Sequence, residues 1–460
     1  MKSRLICFIL LLSSMLAYGQ KTLPITGTWI NLAYQDERNL YMNPHGIDST
    51  NPELWETKVR ELNEMGVEYL VFMAVANDEK AYYPSKMMPH HFPEGRKSPV
   101  DAIMDEAAKL GMKVFLSTGW AKDQNDKLRD PAVKQGHINI MVELAGIYKD
   151  HKAFYGWYLP VEDCLGPVLT DYAVEAVNQL TEKAKSLTPN KKVLTSPYGI
   201  FLANFDNPKF AEQIGRLKVD IIAYQDEVGC VREEYPMVRL RDNWKKLREI
   251  HDKIDIEMWA NCETFTWTKN TNSRRSALIP CSYTRLLEQQ VIASEGGAEK
   301  IISFSICGIL DKPASVCSLG QPHWSNVVYQ DYMDWKTGKN RYWIALEKSF
   351  YENKPWIAMW EGDHEFIIEN KDKEKIKEVF VSFQNHQRNR WVVPSHVSLA
   401  ISDDGVNYKT VSVQSNKGFA NTLHDAFSDG FLFTPNTKAP YLKVFFNSPD
   451  KCKMRIDTLK

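Results

Sequence analysis

The sequence predicts a (β/α)8 barrel of the TIM-barrel class, followed by a small antiparallel β-sandwich. Short apolar segments with the length of strands alternate with segments whose apolar residues recur at helical spacing. From about Glu365 the helical spacing stops, and apolar residues alternate with polar ones at a period of two. The strand-like segments before this change are 25–32, 67–75, 113–119, 154–162, 192–198, 219–226, 256–265 and 300–309.

The segments between these strands carry the signals that begin and end helices. Ser98 followed by Pro99 predicts an N-cap and a first turn, and Gly111 predicts the end of that helix. Asp130 followed by Pro131 predicts the start of the next helix. The segment 207–217 is short, so the unit after the fifth strand is the weakest of the series.

The change of pattern near residues 353–355 predicts a second domain, a β-sandwich of roughly 100 residues. Turn signals at 403–405 and 448–450 separate strand-like segments. The hairpin of residues 397–408 resembles the strand-turn-strand of discoidin-like, galactose-binding-like modules, and this resemblance implies the fold more than it implies sugar binding. The strand-like segments of this domain are 366–369, 376–383, 396–402 and 441–446.

Residues 1–19 have the pattern of a signal peptide. Lys2 and Arg4 precede a short apolar run, and Ala17-Tyr18-Gly19 forms a small-x-small cleavage signal. The run is too short to span a bilayer comfortably, and no later segment spans one. We therefore predict a secreted or periplasmic protein with no integral membrane segment after cleavage, a barrel domain over 20–354 and a sandwich domain over 355–460. A membrane tether is the weaker alternative.

Composition and charge narrow the class of partner. A formal net charge of −1 and a pI near 6.8 argue against a nucleic-acid partner, which requires a basic surface. The chain has 13 Trp and 20 Tyr residues, and aromatic rings can stack on the apolar face of a sugar, although most such rings pack in cores. Without a CxxC or HExxH pattern, we predict no metal and no other cofactor. The irregular cysteine spacing predicts no disulfide framework and leaves a Cys281–Cys317 pair open.

Two glutamates at strand ends are the candidate catalytic residues. In segment 256–265 the even-numbered residues up to Cys262 are apolar and suit the helix layer, so the odd-numbered residues, including Glu263, face the interior. In segment 154–162 the same alternation puts Glu162 on the interior face. Barrel active sites lie at the carboxyl ends of the strands, so both side chains are expected at the mouth.

Paired carboxylates across a barrel mouth are typical of glycosidases. One protonates the departing oxygen, and the other attacks the anomeric carbon or activates water. A carboxyl separation of roughly 5–5.5 Å implies retention, and roughly 6.5–9.5 Å implies inversion. The sequence therefore predicts a glycoside hydrolase whose partner is a carbohydrate substrate, either an oligosaccharide or a polysaccharide.

The candidates for contact with the sugar are aromatic, amide and acidic side chains at or just past strand ends. For the aromatic ones a packing role stays open, and alternation does not decide which side chains of the sixth strand face inward. Asp226 has the further alternatives of tuning Glu162 or capping a loop. The candidates are Trp29, Asn31, Trp120, Tyr158, Tyr198, Tyr224, Gln225, Asp226, Trp259, Asn261 and Trp267.

Three runs, 154–162, 219–226 and 259–265, carry a family resemblance. Glutamates at the ends of strands four and seven resemble the pattern of clan A glycoside hydrolases. The runs are similar to those of secreted bacterial proteins regarded as glycoside hydrolases of unknown specificity, which have a barrel and a C-terminal β domain. The resemblance implies that Glu162 is the acid/base, that Glu263 is the nucleophile and that the configuration is retained.

One position departs from clan A. Those enzymes usually have Asn before the acid/base, in contact with the sugar's 2-hydroxyl, and Val161 stands here. Asn261 or Gln225 could supply that hydrogen bond. The alternatives are a structural Glu162 paired with Arg232 or Arg241, and a non-catalytic carbohydrate-binding protein on a degenerate glycosidase barrel. A polysaccharide lyase or a deacetylase is a third reading, but the sequence arranges neither its base nor its metal cluster convincingly.

Overall fold

A computed structural model describes most of the chain. The described residues are 22–32, 48–119, 128, 130–231, 237–267, 278–281, 283–315, 322–338, 357–385, 391, 393–394, 396–415, 427–448 and 451–459. The predicted signal peptide and the proposed domain boundary at 354/355 lie outside them. Within the described part, no helix combines the length and the apolar composition needed to cross a bilayer.

Eight parallel strands close into a barrel, as the sequence predicts. Neighbours around the ring follow the order β1-β8-β7-β6-β5-β4-β3-β2, so each strand pairs with the next along the chain and the last pairs with the first. Each of the eight strand-like segments contains one of these strands. The strands are β1 (Ile25–Asn31), β2 (Tyr69–Ala74), β3 (Lys113–Ser117), β4 (Phe154–Leu159), β5 (Lys192–Thr195), β6 (Ile221–Gln225), β7 (Glu257–Glu263) and β8 (Lys300–Phe304).

Helices follow the strands, and side-chain caps explain where several of them begin. Ser98 accepts a hydrogen bond from the Asp101 N–H, and Asp130 accepts one from the Ala132 N–H. The short helix of the fifth unit is present, capped by Asn207 with Pro208 in its first turn. The helices are α1 (Pro52–Met65), α2 (Pro99–Lys109), α3 (Pro131–Tyr148), α4 (Asp171–Leu187), α5 (Pro208–Arg216), α6 (Met237–His251), α7 (Tyr283–Glu295) and α8 (Pro322–Lys336).

The barrel has two apolar layers, and the alternation along the strands separates them. Trp29, Tyr158 and Trp259 belong to a small cluster inside the barrel. The large cluster between strands and helices takes the intervening residues, such as Trp157 on β4 and Met258 on β7. The predicted inward and outward faces of β1, β4 and β7 are therefore observed, which fixes the direction in which their C-terminal residues point.

Two antiparallel sheets follow the barrel. One has the order β9-β16-β11-β14 and the other β10-β15-β12-β13, an arrangement consistent with the predicted sandwich. Asp404 accepts hydrogen bonds from the N–H groups of Val406 and Asn407 in the turn predicted at 403–405. The strands are β9 (Ile357–Met359), β10 (Gly362–Glu369), β11 (Glu378–Asn385), β12 (His396–Ser402), β13 (Lys409–Ser415), β14 (Phe427–Phe433), β15 (Tyr441–Ser448) and β16 (Cys452–Leu459).

The first of these sheets packs against the barrel through α7, which contacts β14. Glu288 on α7 and Arg455 on β16 are both buried. Burial raises the pKa of Glu288 to about 8, and the positive charges of Arg241, Arg455 and Arg285 oppose that rise. The C-terminal sheets therefore support a helix of the barrel, and that helix also contacts β7.

Candidate active site

Glu162 lies just beyond the end of β4, and its side chain is exposed to solvent. Crowding of its carboxyl by protein nevertheless raises its pKa to about 7, opposed by hydrogen bonds from Gln225 and Tyr158. Glu162 is thus a reachable acid that holds its proton close to neutral pH.

Glu263 is the last residue of β7, and it is 4% exposed. Its Oε2 accepts a hydrogen bond of 2.7 Å from the N–H of Cys230. Burial raises its pKa to about 8, the nearby Asp226 and Glu227 carboxylates add to the rise, and the contacts with Cys230 oppose it. Glu263 is therefore mostly protonated at neutral pH in the free protein.

A short helical turn, Val228–Val231, covers the carboxyl of Glu263. It approaches so closely that a Cβ on Gly229 would lie 2.8 Å from the Glu263 Oε2 and 2.7 Å from the Phe265 carbonyl oxygen. Only glycine fits there without a shift of the backbone or of the carboxyl. The sequence at this position thus determines how near the turn comes to Glu263.

Asp226 is buried, and its hydrogen bonds tie β6 to β7 and α7. Its Oδ1 accepts from the N–H groups of Glu263, at 3.1 Å, and Val228, at 3.3 Å. Its Oδ2 accepts from the Gln289 side chain at 2.7 Å. Burial raises its pKa, opposed by these hydrogen bonds. The carboxylate of Asp226 thus fixes neighbouring backbone and is closed to solvent.

Glu227 completes the acidic group and was not among the candidates from the sequence. It is buried, and its backbone is left-handed, with a φ of 53°. Its Oε2 accepts from the N–H groups of Gly199 and Ile200 and so joins the loops after β5 and β6. The signal in the sequence is the consecutive acidic pair 226–227 at a strand end, but alternation could not reveal that both side chains turn into protein.

Amide side chains lie together at the ends of β6 and β7, where Gln225 pairs with Asn261 across the two strands. Gln225 donates to the Ser196 carbonyl at 2.9 Å, and Asn261 donates to the Ser196 hydroxyl at 3.4 Å. Asn261 Oδ1 is buried and has no hydrogen-bond donor among the described residues. Ser196, which the sequence did not single out, aligns both amides.

The candidate aromatic residues occupy different depths. Tyr198, just beyond β5, is 38% exposed, whereas the others with described side chains are buried. Tyr158 hydrogen-bonds to Glu162, and its ring meets that of Trp29 edge-on at 4.5 Å. Asn31, at the end of β1, is also buried. Trp267 lies on the short strand Phe265–Trp267, and Trp120 is outside the described residues.

Two aromatic candidates, Trp259 and Tyr224, lie away from the mouth of the barrel. Trp259 is fully buried and donates from Nε1 to Glu257 at 3.1 Å, at the opposite end of β7 from Glu263. Tyr224 is fully buried in the helix layer, with its hydroxyl 2.9 Å from the Nε2 of His251 on α6. Neither side chain reaches solvent, so neither is placed to contact a substrate at the mouth of the barrel.

The sequence also leaves open an arginine partner for Glu162 and a disulfide at Cys281, and it predicts no metal site. Arg241 forms an ion pair with Glu295 at 3.1 Å, and Arg232 lies outside the described residues. The thiol of Cys281 is free and buried, and Cys317 lies outside them too. Among the described side chains, no group of three or more His, Cys, Asp or Glu residues could hold a metal ion.

Three of the solved structures that resemble the chain are described as glycosidases or proposed glycosidases. A proposed alpha-L-fucosidase from Bacteroides thetaiotaomicron has a TM-score of 0.52 and 18% identity, over 68% of this chain and 93% of that chain. A family 5 glycoside hydrolase from Bacteroides vulgatus has a TM-score of 0.43 and 10% identity, over 93% and 89%. An endo-beta-1,4-mannanase from Thermotoga petrophila has a TM-score of 0.43 and 11% identity, over 96% and 98%.

The first of these likenesses shows a shared fold. No curated protein sequence matches the chain. Residues 25–317 match the family described as a domain of unknown function (DUF4434), and because this is more than half of the sequence, the chain belongs to that family.

Proposed function

We propose that the protein is a glycoside hydrolase that cleaves a glycosidic bond in an oligosaccharide or polysaccharide. The observation that carries the proposal is Glu162, an exposed carboxyl at the C-terminal end of β4 with a pKa raised to about 7. A general acid works best when its pKa lies near the working pH. A protein that shares the barrel fold is a proposed alpha-L-fucosidase, which agrees with chemistry of this class.

In this proposal Glu162 is the acid/base. The residue is exposed to solvent, so a glycosidic oxygen can approach it, and hydrogen bonds from Tyr158 and Gln225 orient its carboxyl. It donates its proton to the leaving oxygen as the bond to the anomeric carbon breaks. In a retaining sequence it then removes a proton from the water that completes hydrolysis.

Glu263 is the proposed nucleophile, and it must be ionised to act. In the free protein, burial and the neighbouring Asp226 and Glu227 raise its pKa to about 8. Positive charge develops on the sugar in the transition state, and a positive charge beside a carboxyl favours the anion. The reacting sugar therefore stabilises the ionised form that the free site disfavours.

The proposed sugar contacts come from the open side of the site. Tyr198 offers an exposed ring, and the half-buried Gln225 offers its side-chain amide at the end of β6. Gln225 stands in for the Asn that clan A enzymes carry before the acid/base, where this chain has Val161, and the buried Asn261 lies beside it on β7. Export through residues 1–19 would bring the enzyme to glycans outside the cytoplasm.

The test is a glycan screen with residues 20–460, followed by the same screen with Glu162→Gln and Glu263→Gln. We expect each substitution to lower turnover of a natural glycan by roughly 10²–10⁴-fold, the usual contribution of a general acid or base. Proton NMR of the first-formed product reads its anomeric configuration, and we expect retention. Unchanged turnover in either variant contradicts its assigned role, and an inverted product contradicts the nucleophile.

A second candidate is a non-catalytic carbohydrate-binding protein. The observation that favours it is the burial of Glu263, which keeps the carboxyl largely protonated in the free protein. A glycan array and calorimetry, each followed by product analysis, separate the two functions. Binding without product from any bound glycan supports this second function, and product from any of them excludes it.

A further inference from the structure

Three buried side chains hydrogen-bond to the backbone of Glu263. Asp226 Oδ1 accepts from its N–H at 3.1 Å. The carbonyl oxygen of Glu263 accepts hydrogen bonds from Arg285 Nη2 and from Gln289 Nε2, each at 3.0 Å. Both backbone polar groups of Glu263, its N–H and its carbonyl, are thus held by side chains at the point where β7 ends.

The three side chains also connect to one another and to the chain beyond β7. Gln289 donates to Asp226 at 2.7 Å, so the groups holding the N–H and the carbonyl of Glu263 are joined. Arg285 Nη2 donates to the Phe265 carbonyl at 2.7 Å and so fixes the residues that follow. All three side chains are at most 1% exposed.

The arrangement depends on α7. Arg285 and Gln289 are four residues apart and therefore lie on the same face of this helix, towards the end of β7. Buried side chains with several hydrogen bonds have fixed positions, and a reacting carboxyl must be held to within about half an ångström. We call Asp226, Arg285 and Gln289 the clamp. Solvent does not reach these three side chains, so substrate does not contact them.

We propose that Gln289, together with Asp226 and Arg285, positions the carboxyl of Glu263 by holding its backbone. This assigns Asp226 a positioning role in place of the predicted contact with substrate. The inference rests on the proposed function for its kinetic consequence, because it assumes that Glu263 acts on the substrate. The geometric part, in which the clamp sets the environment of Glu263, stands without it.

Gln290 provides a matched control for Gln289. It is the next residue of α7, it is fully buried, and its Nε2 donates to the Leu23 carbonyl at 3.0 Å, away from the site. Gln289→Met and Gln290→Met each remove a buried amide at nearly constant volume. We expect a loss of thermal stability from each, because Gln289→Met removes the hydrogen bonds to Asp226 and to the Glu263 carbonyl, and Gln290→Met removes the one to the half-buried Leu23 carbonyl.

Kinetics separate a positioning role from a structural one. We expect Gln289→Met to lower kcat about tenfold or more with KM within about threefold, since misplacement weakens only the transition state. Gln290→Met is expected to stay within about twofold of the wild type. Equal kcat values for the two variants would overturn the proposal. Should Gln289→Met not fold, Asp226→Asn replaces it: a fall in kcat supports positioning, and a rise in KM alone overturns it.

A measurement without substrate keeps this inference separate from the proposed function. Carbon-13 NMR titrates the Glu263 carboxyl, assigned by comparison with Glu263→Gln. We expect Gln289→Met to move its pKa by about half a unit or more, and Gln290→Met to leave it unchanged. If no glycan is cleaved by the wild type, the proposed function fails while this result still decides the clamp. Identical titrations in the two variants would overturn it.

Discussion

The ends of β4 and β7 carry the same side chain in opposite settings. Glu162 is exposed and is hydrogen-bonded by two side chains, Tyr158 and Gln225. Glu263 is buried, and its carboxyl lies under the turn Val228–Val231. Three buried side chains hydrogen-bond to its backbone. In both cases the largest cause of the raised pKa is protein around the carboxyl, which displaces the water that would stabilise the anion. In the proposed mechanism, exposure suits Glu162 to donate a proton, and the fixed backbone suits Glu263 to act as the nucleophile.

The largest expected effect is a loss of activity that depends on the leaving group of the substrate for Glu162→Gln but not for Glu263→Gln. Glu162→Gln should lose roughly 10²–10⁴-fold on a natural glycan and far less on an aryl glycoside with an acidic phenol, because such a phenol leaves without a proton. Glu263→Gln should lose activity on both. Steady-state rates on a paired set of substrates provide the measurement. Equal losses from Glu162→Gln on both substrates would remove its role as the acid.

Gly229→Ala tests the covered end alone. Its Cβ would meet the Glu263 Oε2 at 2.8 Å and the Phe265 carbonyl oxygen at 2.7 Å, so the carboxyl or the turn must move. We expect kcat to fall about tenfold to a hundredfold, as for a misplaced catalytic group. Gly136→Ala is the control, because a Cβ there meets nothing within 4 Å and alanine favours a helix. A variant at Gly229 with full kcat would show that the turn does not position Glu263.

The pH dependence joins the two ends. In the proposed mechanism the active form has Glu162 protonated, with a pKa of about 7, and Glu263 ionised, with a pKa of about 8. Activity should therefore rise with pH as Glu263 ionises and fall as Glu162 loses its proton, giving a narrow bell centred between these values. At the centre only about one molecule in twenty carries the active pair of states. A profile of kcat/KM that is flat from pH 5 to 9 would contradict this account of both carboxyls.

The smallest effect concerns support from outside the barrel. Arg455 of β16 and Glu288 of α7 are both buried, and the charge of Arg455 opposes the rise in the pKa of Glu288. We expect Arg455→Met to lower the free energy of unfolding by roughly 1–3 kcal/mol, since it leaves a buried carboxyl less compensated. Lys371→Met, which removes the exposed partner of Glu369, should cost under about 1 kcal/mol. Urea unfolding measures the free energy of unfolding of both variants. Equal losses would contradict a stabilising interaction between Arg455 of the sandwich and Glu288 of α7.

The order of strands and helices could be predicted from the sequence, because alternation and helix caps are local signals. The same alternation identified the interior faces of β4 and β7, but a face does not give a depth. Trp259 shares a face with Glu263, yet four residues at about 3.3 Å each put it some 13 Å further down the barrel. It therefore packs against Tyr69 in the interior instead of standing at the mouth.

Other parts of the site could not be predicted, because they depend on contacts between distant segments. Asp226 and Glu227 follow β6 where the chain leaves strand geometry, so period-two alternation no longer applies there. Gln289 and Arg285 lie on a helix more than twenty residues beyond Glu263, and only the fold brings them to its backbone. Chemistry at a strand end can thus be inferred locally, whereas its supports cannot.

The most direct test of the central claim is a covalent trap. A glycan found to be a substrate is converted to its 2-deoxy-2-fluoro glycoside with a good leaving group, the protein is incubated with it, and the labelled peptide is identified by mass spectrometry. We expect a glycosyl ester on Glu263 that accumulates in the wild type and is absent from Glu263→Gln. A label on Asp226, Glu227 or Glu162 would contradict it, as would turnover of the parent glycan without any label.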